Sequence, residues 1–158
     1  MSVVLRCFQD RDLPDVLAIE RQLFPEDAWT AQMFAGELAQ PTTRYYIVAE
    51  ADGIIAGYAG LFVVGDQGDV QTIAVRADRQ GLGIGTALLQ ELIAAARSRG
   101  CHELFLDVRA DNDRARRLYR RTGFADVGVR RGYYQPSGTD AVVMRFRIPS
   151  REAQAGRR

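Results

Sequence analysis

The feature that most constrains the fold is a series of three β-rich segments in the middle of the chain, separated only by short turns. The segments RYYIVAE and IIAGYAGLFVV flank the sequence ADG, and the turn GDQGD leads into a third segment, VQTIAV. An Asp-Gly pair between two apolar β-rich segments is a strong signal for a β-hairpin. Strands joined by such short turns pair antiparallel, because parallel neighbours need a long crossover. The segment therefore predicts an antiparallel meander rather than part of a doubly wound parallel sheet.

The sequence on either side of the meander predicts four helices and four further strands. The strand VVLRCF opens the chain, followed by helices in DRDLPDVLAIERQLF, with Asp12 as the expected N-cap, and in AQMFAGELA, with Thr30 in that position. After the meander come a helix over about residues 83–99, the strand ELFLDV, and a helix in DNDRARRLYRRT capped by Asp111 or Asn112. The strands FADVGVR and DAVVMRFRI, joined by the loop RGYYQPSGT, end the order β-α-α-β-β-β-α-β-α-β-β. We expect an α/β (α+β) fold with a mixed, largely antiparallel central sheet of about seven strands and about four helices.

Length and composition fit one domain and exclude several function classes. The chain has 158 residues, 47% of them hydrophobic, so we place a single domain at residues 1–148 and a polar, Arg-containing tail at residues 149–158. The net charge of +1 and the absence of a nucleic-acid-binding motif argue against direct contact with nucleic acid. Cys7 and Cys101 are far apart, which indicates free thiols in a reducing compartment and no metal site. No apolar run reaches the length of a membrane span, and we expect a cytoplasmic protein.

A Gly-rich turn follows the meander in DRQGLGIGTALLQELI, residues 78–93. Glycines allow successive backbone N–H groups to converge on an anion, and a helix N-terminus adds partial positive charge. The dinucleotide fingerprint fails narrowly at Thr86, although Asp107 lies near the distance expected of a ribose ligand. A nucleotide P-loop is excluded, because no Gly-Lys-Ser/Thr follows. The turn alone leaves a dinucleotide, coenzyme A or a merely flexible loop as alternatives.

The segments around this turn resemble the GCN5-related N-acetyltransferase superfamily, and within it the RimI branch of ribosomal-protein N-terminal-alanine acetyltransferases. The resemblance covers about residues 3–148 and is densest in TIAVRADRQGLGIGTALL, LDVRADNDRARRLYRRTGF, RRGYY and DAVVM. It implies a bacterial, acetyl-CoA-dependent enzyme that acetylates the α-amino group of a protein N-terminus, with the N-terminal alanine of a ribosomal protein as the expected acceptor. The alternatives are acetylation of lysine or of a small amine on the same fold, a non-catalytic acetyl-CoA-binding module, and a dinucleotide-dependent oxidoreductase.

The resemblance also implies roles for particular positions. Trp29, Tyr133 and Tyr134 would wall the groove that admits the acceptor. The strand before the Gly-rich turn would pair with the pantetheine arm and donate an N–H to the thioester carbonyl, and the turn with the first helical residues would hold the pyrophosphate. Together with the family's cofactor-binding asparagine, these positions are Ile73, Ala74, Val75, Gln80, Gly81, Leu82, Gly83, Ile84, Gly85, Thr86 and Asn112.

Two residues match the catalytic positions of the family. Asp107 stands where the RimI branch has a glutamate that acts as general base; its side chain is shorter, so it would act either directly or through one ordered water. The alternative is a strand-end carboxylate paired with Arg109 or another arginine. Tyr119 matches the tyrosine that protonates the departing thiolate, although its place on the apolar face of its helix would by itself favour core packing.

A basic stretch surrounds Tyr119 in the sequence. Residues 114–131 contain seven arginines and one acidic residue, Asp126. The stretch is either a solvated helix face or a source of attraction for the 3′-phosphate of coenzyme A or for an acidic partner.

Overall fold

Seven strands form one mixed sheet in the computed structural model, which describes residues 2–149. The strands are β1 Val3–Cys7, β2 Arg44–Ala51, β3 Ile54–Val64, β4 Gln67–Val75, β5 Glu103–Arg109, β6 Ala125–Tyr134 and β7 Thr139–Arg147. The helices are α1 Leu13–Leu23, α2 Ala31–Leu38, α3 Ile84–Ser98 and α4 Asp113–Thr122, with short 3₁₀ turns at Asp10–Asp12 and Ala77–Arg79. The strand order is β1-β2-β3-β4-β5-β7-β6, and every neighbouring pair is antiparallel except β4 with β5. The predicted fold class and element order are confirmed.

The side chains of alternating residues in the central strands pack in two separate cores. In β2, Ile47 and Ala49 pack in the core that also contains α3, whereas Tyr46 and Val48 pack in the core that contains α1 and α2. This follows from the two-residue period of a strand. Leu88 of α3 is fully buried in the first core, and burying one such side chain contributes about 1.5–3 kcal/mol.

Two local predictions are wrong. The segment RGYY, predicted as loop, continues β6 as far as Tyr134, because it stays beside β7 through an irregular register. The strand β4 begins at Gln67 rather than at Val70, so the preceding turn is shorter than GDQGD. Asp12 is the N-cap residue of α1, as predicted, but its side chain makes no capping hydrogen bond; its carboxylate accepts two hydrogen bonds from Arg6, at 2.7 and 2.8 Å.

Other local predictions hold. Thr30 caps α2 by accepting a hydrogen bond from the Met33 N–H at 3.2 Å, and Asn112, one of two candidates, caps α4. The predicted tail at residues 149–158 lies outside the described residues, apart from Pro149.

The parallel pair β4–β5 separates after a very short contact. Only Gln67–Asp69 of β4 pair with Glu103–Phe105 of β5. A bulge in the β3–β4 register lies directly beyond, between Gly60 and Leu61, and bulges increase local twist and bend a strand. The remaining residues of β4, from Val70 to Val75, therefore have no strand partner on the β5 side within the described chain, and a cleft opens between the two strands.

Candidate active site

Two adjacent cavities, which share lining residues, lie where β4 and β5 separate. The large cavity has a volume of about 560 Å³ and lies between the end of β4, the Gly-rich turn and α4. The small cavity has a volume of about 170 Å³ and lies between β4, β5 and the chain that links α1 to α2. Five residues line both cavities and therefore mark the junction between them: Phe24, Ile73, Asn112, Ala115 and Tyr119.

The Gly-rich turn forms one end of the large cavity. Gly81 and Gly83 have φ angles of +80° and +85°, which side-chain-bearing residues rarely adopt. Gly83 is the N-cap of α3, and the first helical hydrogen bond runs from the Ala87 N–H to its carbonyl. The N–H groups of residues 84–86 therefore have no intrahelical partner, and these three residues line the cavity. Such a helix N-terminus suits an anion such as pyrophosphate.

The close packing of α3 on α4 explains a further glycine. A Cβ at Gly85 would lie 3.1 Å from the Leu118 Cδ2 atom, so the first turn of α3 can approach α4 only without a side chain there. Gln80 shapes the turn from the other side, since its side-chain amide donates to the Val75 carbonyl at 3.1 Å.

The end of β4 supplies a free strand edge to the large cavity. Ile73, Ala74 and Val75 line it, in the part of β4 that no longer pairs with β5. A strand edge presents unpaired N–H and C=O groups that can bind an extended chain. The edge is thus suited to an extended, amide-containing ligand.

The two cavities carry opposite charge. Among the described residues, the large cavity is lined by four arginines and no acidic residue; three of them, Arg114, Arg117 and Arg121, follow one face of α4. The small cavity is lined by three carboxylates, Glu20, Asp27 and Asp107, and one arginine. The geometry therefore suits an anionic ligand on one side of the junction and a cationic group on the other.

Tyr119 stands at the junction. It is 6% exposed, its ring packs against Phe124 with centroids 6.0 Å apart, and its hydroxyl forms no hydrogen bond to another described residue. Burial, followed by the nearby Tyr134, raises the pKa of its phenol above the usual 10, so the hydroxyl keeps its proton at neutral pH. The side chain is placed to donate that proton to a group bound between the cavities.

Asp107 lines the small cavity but is not free. Arg130 on β6 donates to its Oδ1 atom at 3.3 Å, in a partly exposed ion pair. Arg109, the partner considered from sequence, instead binds Asp111 at 3.1 Å and lies 3.7 Å from Glu26. Burial, followed by the charge of Asp107, raises the pKa of the half-buried Asp69 nearby.

Most of the predicted site residues meet around these cavities. Asn112 reaches both, although its side-chain oxygen is used by the Ala115 N–H at 3.1 Å, which leaves its NH₂ group for a ligand. Trp29 and Tyr134 line the small cavity. Leu82 and Tyr133 line neither cavity and are 54% and 52% exposed.

Sequence reasoning missed Glu20. It is 3% exposed, lines the small cavity, and accepts hydrogen bonds from the Tyr58 hydroxyl and the Trp29 N–H. Burial, the largest influence, raises the pKa of its carboxyl. A signal was present: position 20 continues the apolar stripe of Leu13, Val16 and Leu17, where a charged residue is unusual.

Residues 2–149 contain no group of three or more His, Cys, Asp or Glu side chains arranged to hold a metal ion. None of the helices in this part of the chain is long and apolar enough to cross a membrane.

The chain is similar in sequence to proteins of one known family. The model of the acetyltransferase (GNAT) family matches residues 12–124. The N-alpha-acetyltransferase RimI of Mycobacterium tuberculosis is 44% identical over 132 residues, which cover 80% of this chain and 81% of that protein. The [ribosomal protein bS18]-alanine N-acetyltransferase of Escherichia coli K12 is 35% identical over 141 residues, covering 87% and 92%.

The fold is also similar to solved structures. The crystal structure of the ribosomal-protein-S18-alanine N-acetyltransferase from Escherichia coli superimposes with a TM-score of 0.83 at 33% identity, over 93% of this chain and 94% of that one. Ard1 from Thermoplasma volcanium has a TM-score of 0.86 at 22% identity, which shows the shared fold alone.

Proposed function

The chain belongs to the acetyltransferase (GNAT) family, whose members use acetyl-CoA, and we propose that it transfers acetyl to the α-amino group of a protein N-terminus. The N-terminal alanine of ribosomal protein bS18 is the first acceptor to test, because relatives of similar length are named for that reaction. The observation that carries the proposal is the junction at Tyr119 of a cationic and an acidic cavity. An anionic acyl donor and an amine would meet there.

The large cavity fits coenzyme A as the donor. The N–H groups at the start of α3 and the left-handed glycines of the turn would bind the pyrophosphate. The α4 arginines would attract the 3′-phosphate, and the free edge of β4 at residues 73–75 would pair with the pantetheine amides. Bound acetyl-CoA would supply the reactive thioester.

Different residues at the junction have different roles in the proposed reaction. The attacking nitrogen forms a bond to the carbonyl carbon while the C–S bond breaks. Asp107, directly or through one water, accepts the proton released by the nitrogen. An N–H group of residues 73–75 stabilises the negative charge on the carbonyl oxygen, and Tyr119 donates its proton to the departing sulfur. The two side chains then exchange their protons with solvent.

Mass spectrometry of matched peptides tests this proposal. One peptide carries a free N-terminal alanine and no lysine, and its partner carries a blocked N-terminus and one lysine. We expect acetyl on the α-nitrogen of the first peptide. Because the protein itself contains no lysine, every ε-acetyl signal comes from the second peptide. Preferential ε-acetylation would replace the proposal with a lysine acetyltransferase, and acetyl-CoA binding without turnover of any amine would indicate a binding module.

A further inference from the structure

Glu20 is one of two carboxylates buried in the described chain, and the two differ in what surrounds them. Asp12 is neutralised by the guanidinium of Arg6 at 2.7 Å. Glu20 forms no ion pair with a described residue. Buried carboxylates are costly unless their oxygens are well bound, so a carboxylate kept in this position calls for an explanation.

Both oxygens of Glu20 are used to connect separate elements. The Tyr58 hydroxyl of β3 donates to Oε1 at 2.6 Å, and the backbone N–H of Trp29 donates to Oε2 at 2.9 Å. The connection continues through aromatic rings. Trp29 packs on Phe34 with centroids 5.1 Å apart, and Phe34 meets Tyr58 edge-on at 6.0 Å. These four residues form a closed ring of contacts.

Glu20 also holds the other end of the same segment. Its backbone carbonyl accepts the N–H of Phe24 at 2.9 Å, at the C-terminus of α1. We call residues 24–29 the wall segment. One glutamate therefore fixes the first residue of the wall segment through its main chain and the last through its side chain.

The wall segment forms one side of the small cavity, which the proposed function assigns to the amine acceptor. Phe24 lines both cavities, and Asp27 and Trp29 line the small one. A displacement of Trp29 would change the shape of the small cavity, whereas Phe24, at the junction with the large cavity, is held by a carbonyl that every substitution at position 20 retains. The two ends of the wall segment can therefore be perturbed separately.

We propose that Glu20 is a positioning residue, whose carboxylate fixes Trp29 and so sets the affinity of the acetyltransferase for its amine acceptor. The inference rests on the proposed function only in assigning the small cavity to the acceptor. Glutamate suits the role because two donors converge on it, and the Trp29 N–H can only donate. Glutamine can still accept from Trp29 through its oxygen and donate to the Tyr58 oxygen, whereas alanine loses both contacts.

Trp29 is the only tryptophan of the chain, so the intrinsic tryptophan fluorescence of the protein reports on this residue alone. This allows a direct test. In Glu20→Ala we expect a red shift of emission and a clear increase in acrylamide quenching. The acceptor KM should rise at least tenfold, while the KM for acetyl-CoA should stay within twofold of wild type. Glu20→Gln should restore most of the fluorescence and of the acceptor KM. Asp15→Ala, an exposed acid on the same helix, is the matched control and should change neither.

Tyr58→Phe keeps the test decisive if Glu20→Ala does not fold. It removes one donor from the carboxylate and should shift fluorescence and acceptor KM in the same direction by a smaller factor. Unchanged Trp29 emission and acceptor KM in these variants would overturn the inference. So would a loss of kcat in Glu20→Gln as large as in Glu20→Ala with KM unaltered, since that pattern belongs to a catalytic base.

The fluorescence measurement needs no substrate, which separates this inference from the proposed function. If the wild-type enzyme acetylates another amine, the proposed N-terminal specificity fails, and the KM comparison is made with that amine. If wild type acetylates none, emission and quenching of Trp29 alone decide whether Glu20 anchors the wall segment.

Discussion

The Tyr119→Phe substitution tests the assignment of the proton donor most directly. It removes one oxygen atom and retains the ring, which keeps its packing against Phe124 at a centroid distance of 6.0 Å. The hydroxyl bonds to no other described residue, so its loss breaks no hydrogen bond within residues 2–149. We therefore expect the free energy of unfolding to change by less than about 0.5 kcal/mol.

The effect on turnover should be much larger. A positioned general acid contributes about 10²–10⁴ to a rate, equivalent to about 2.7–5.4 kcal/mol of transition-state stabilisation. Because burial raises the pKa of Tyr119, the donor stays protonated throughout the usual assay range. The loss of kcat in Tyr119→Phe should therefore be nearly constant from about pH 6 to pH 9.

Mass spectrometry of reactions quenched at fixed times, or detection of the released thiol, measures kcat. Isothermal titration calorimetry measures the affinity for acetyl-CoA. We expect kcat to fall at least a hundredfold with acetyl-CoA affinity within twofold of wild type. Tyr45→Phe is the control, because its hydroxyl binds Glu91 at 2.9 Å, away from both cavities. That variant should lose about 1 kcal/mol of stability and keep its kcat. A kcat for Tyr119→Phe within twofold of wild type would refute the role of the phenol.

Three further predictions concern the donor turn and the acidic groups. Asp107→Ala should lower kcat near pH 7 and recover part of it above about pH 8, where an α-amine loses its proton unaided; a loss independent of pH in rate profiles would point to a structural role. Gly83→Ala should raise the KM for acetyl-CoA, because φ is +85° and a Cβ costs about 1–2 kcal/mol there, although it would meet no atom within 4 Å. For Glu20, a folded-state pKa raised above 4.5 means that the carboxyl favours folding most at low pH. Denaturation curves should therefore show wild type losing stability relative to Glu20→Gln as pH rises through and above about 4.5.

The element order was predictable because its signals are local. The Asp-Gly hairpin, the Thr30 cap and the apolar periodicity of α3 each depend on a few neighbouring residues. The loop prediction for RGYY was wrong. Glycine is typical of turns, and Gly132 does have a φ of +62°, but pairing with β7 keeps the segment in the strand. Tertiary pairing overrides such local preferences.

Most of the residues expected at the site line the two cavities, whereas their contacts were not predictable. The Gly-rich turn and Asn112 are far apart in sequence, and only the family resemblance indicated that they belong to one site; both line the large cavity. The partner of Asp107 was not predictable, because Arg130 comes from a strand separated from β5 by β7. Glu20 was passed over for a similar reason: only the fold shows that Tyr58 and the Trp29 N–H converge on it.

The surroundings of Asp107 bear on which amine the enzyme can use. Its carboxylate is one methylene shorter than glutamate, and one of its oxygens already binds Arg130 at 3.3 Å. With reference pKa values near 8 and 10.4, about a quarter of an α-amine but only about 0.1% of a lysine side chain is unprotonated at pH 7.5. The free base needed for attack is thus about two hundred times more abundant for the α-amine. Acetylation of an N-terminus therefore needs little help from a base, whereas acetylation of lysine would depend far more on a proton acceptor in the site.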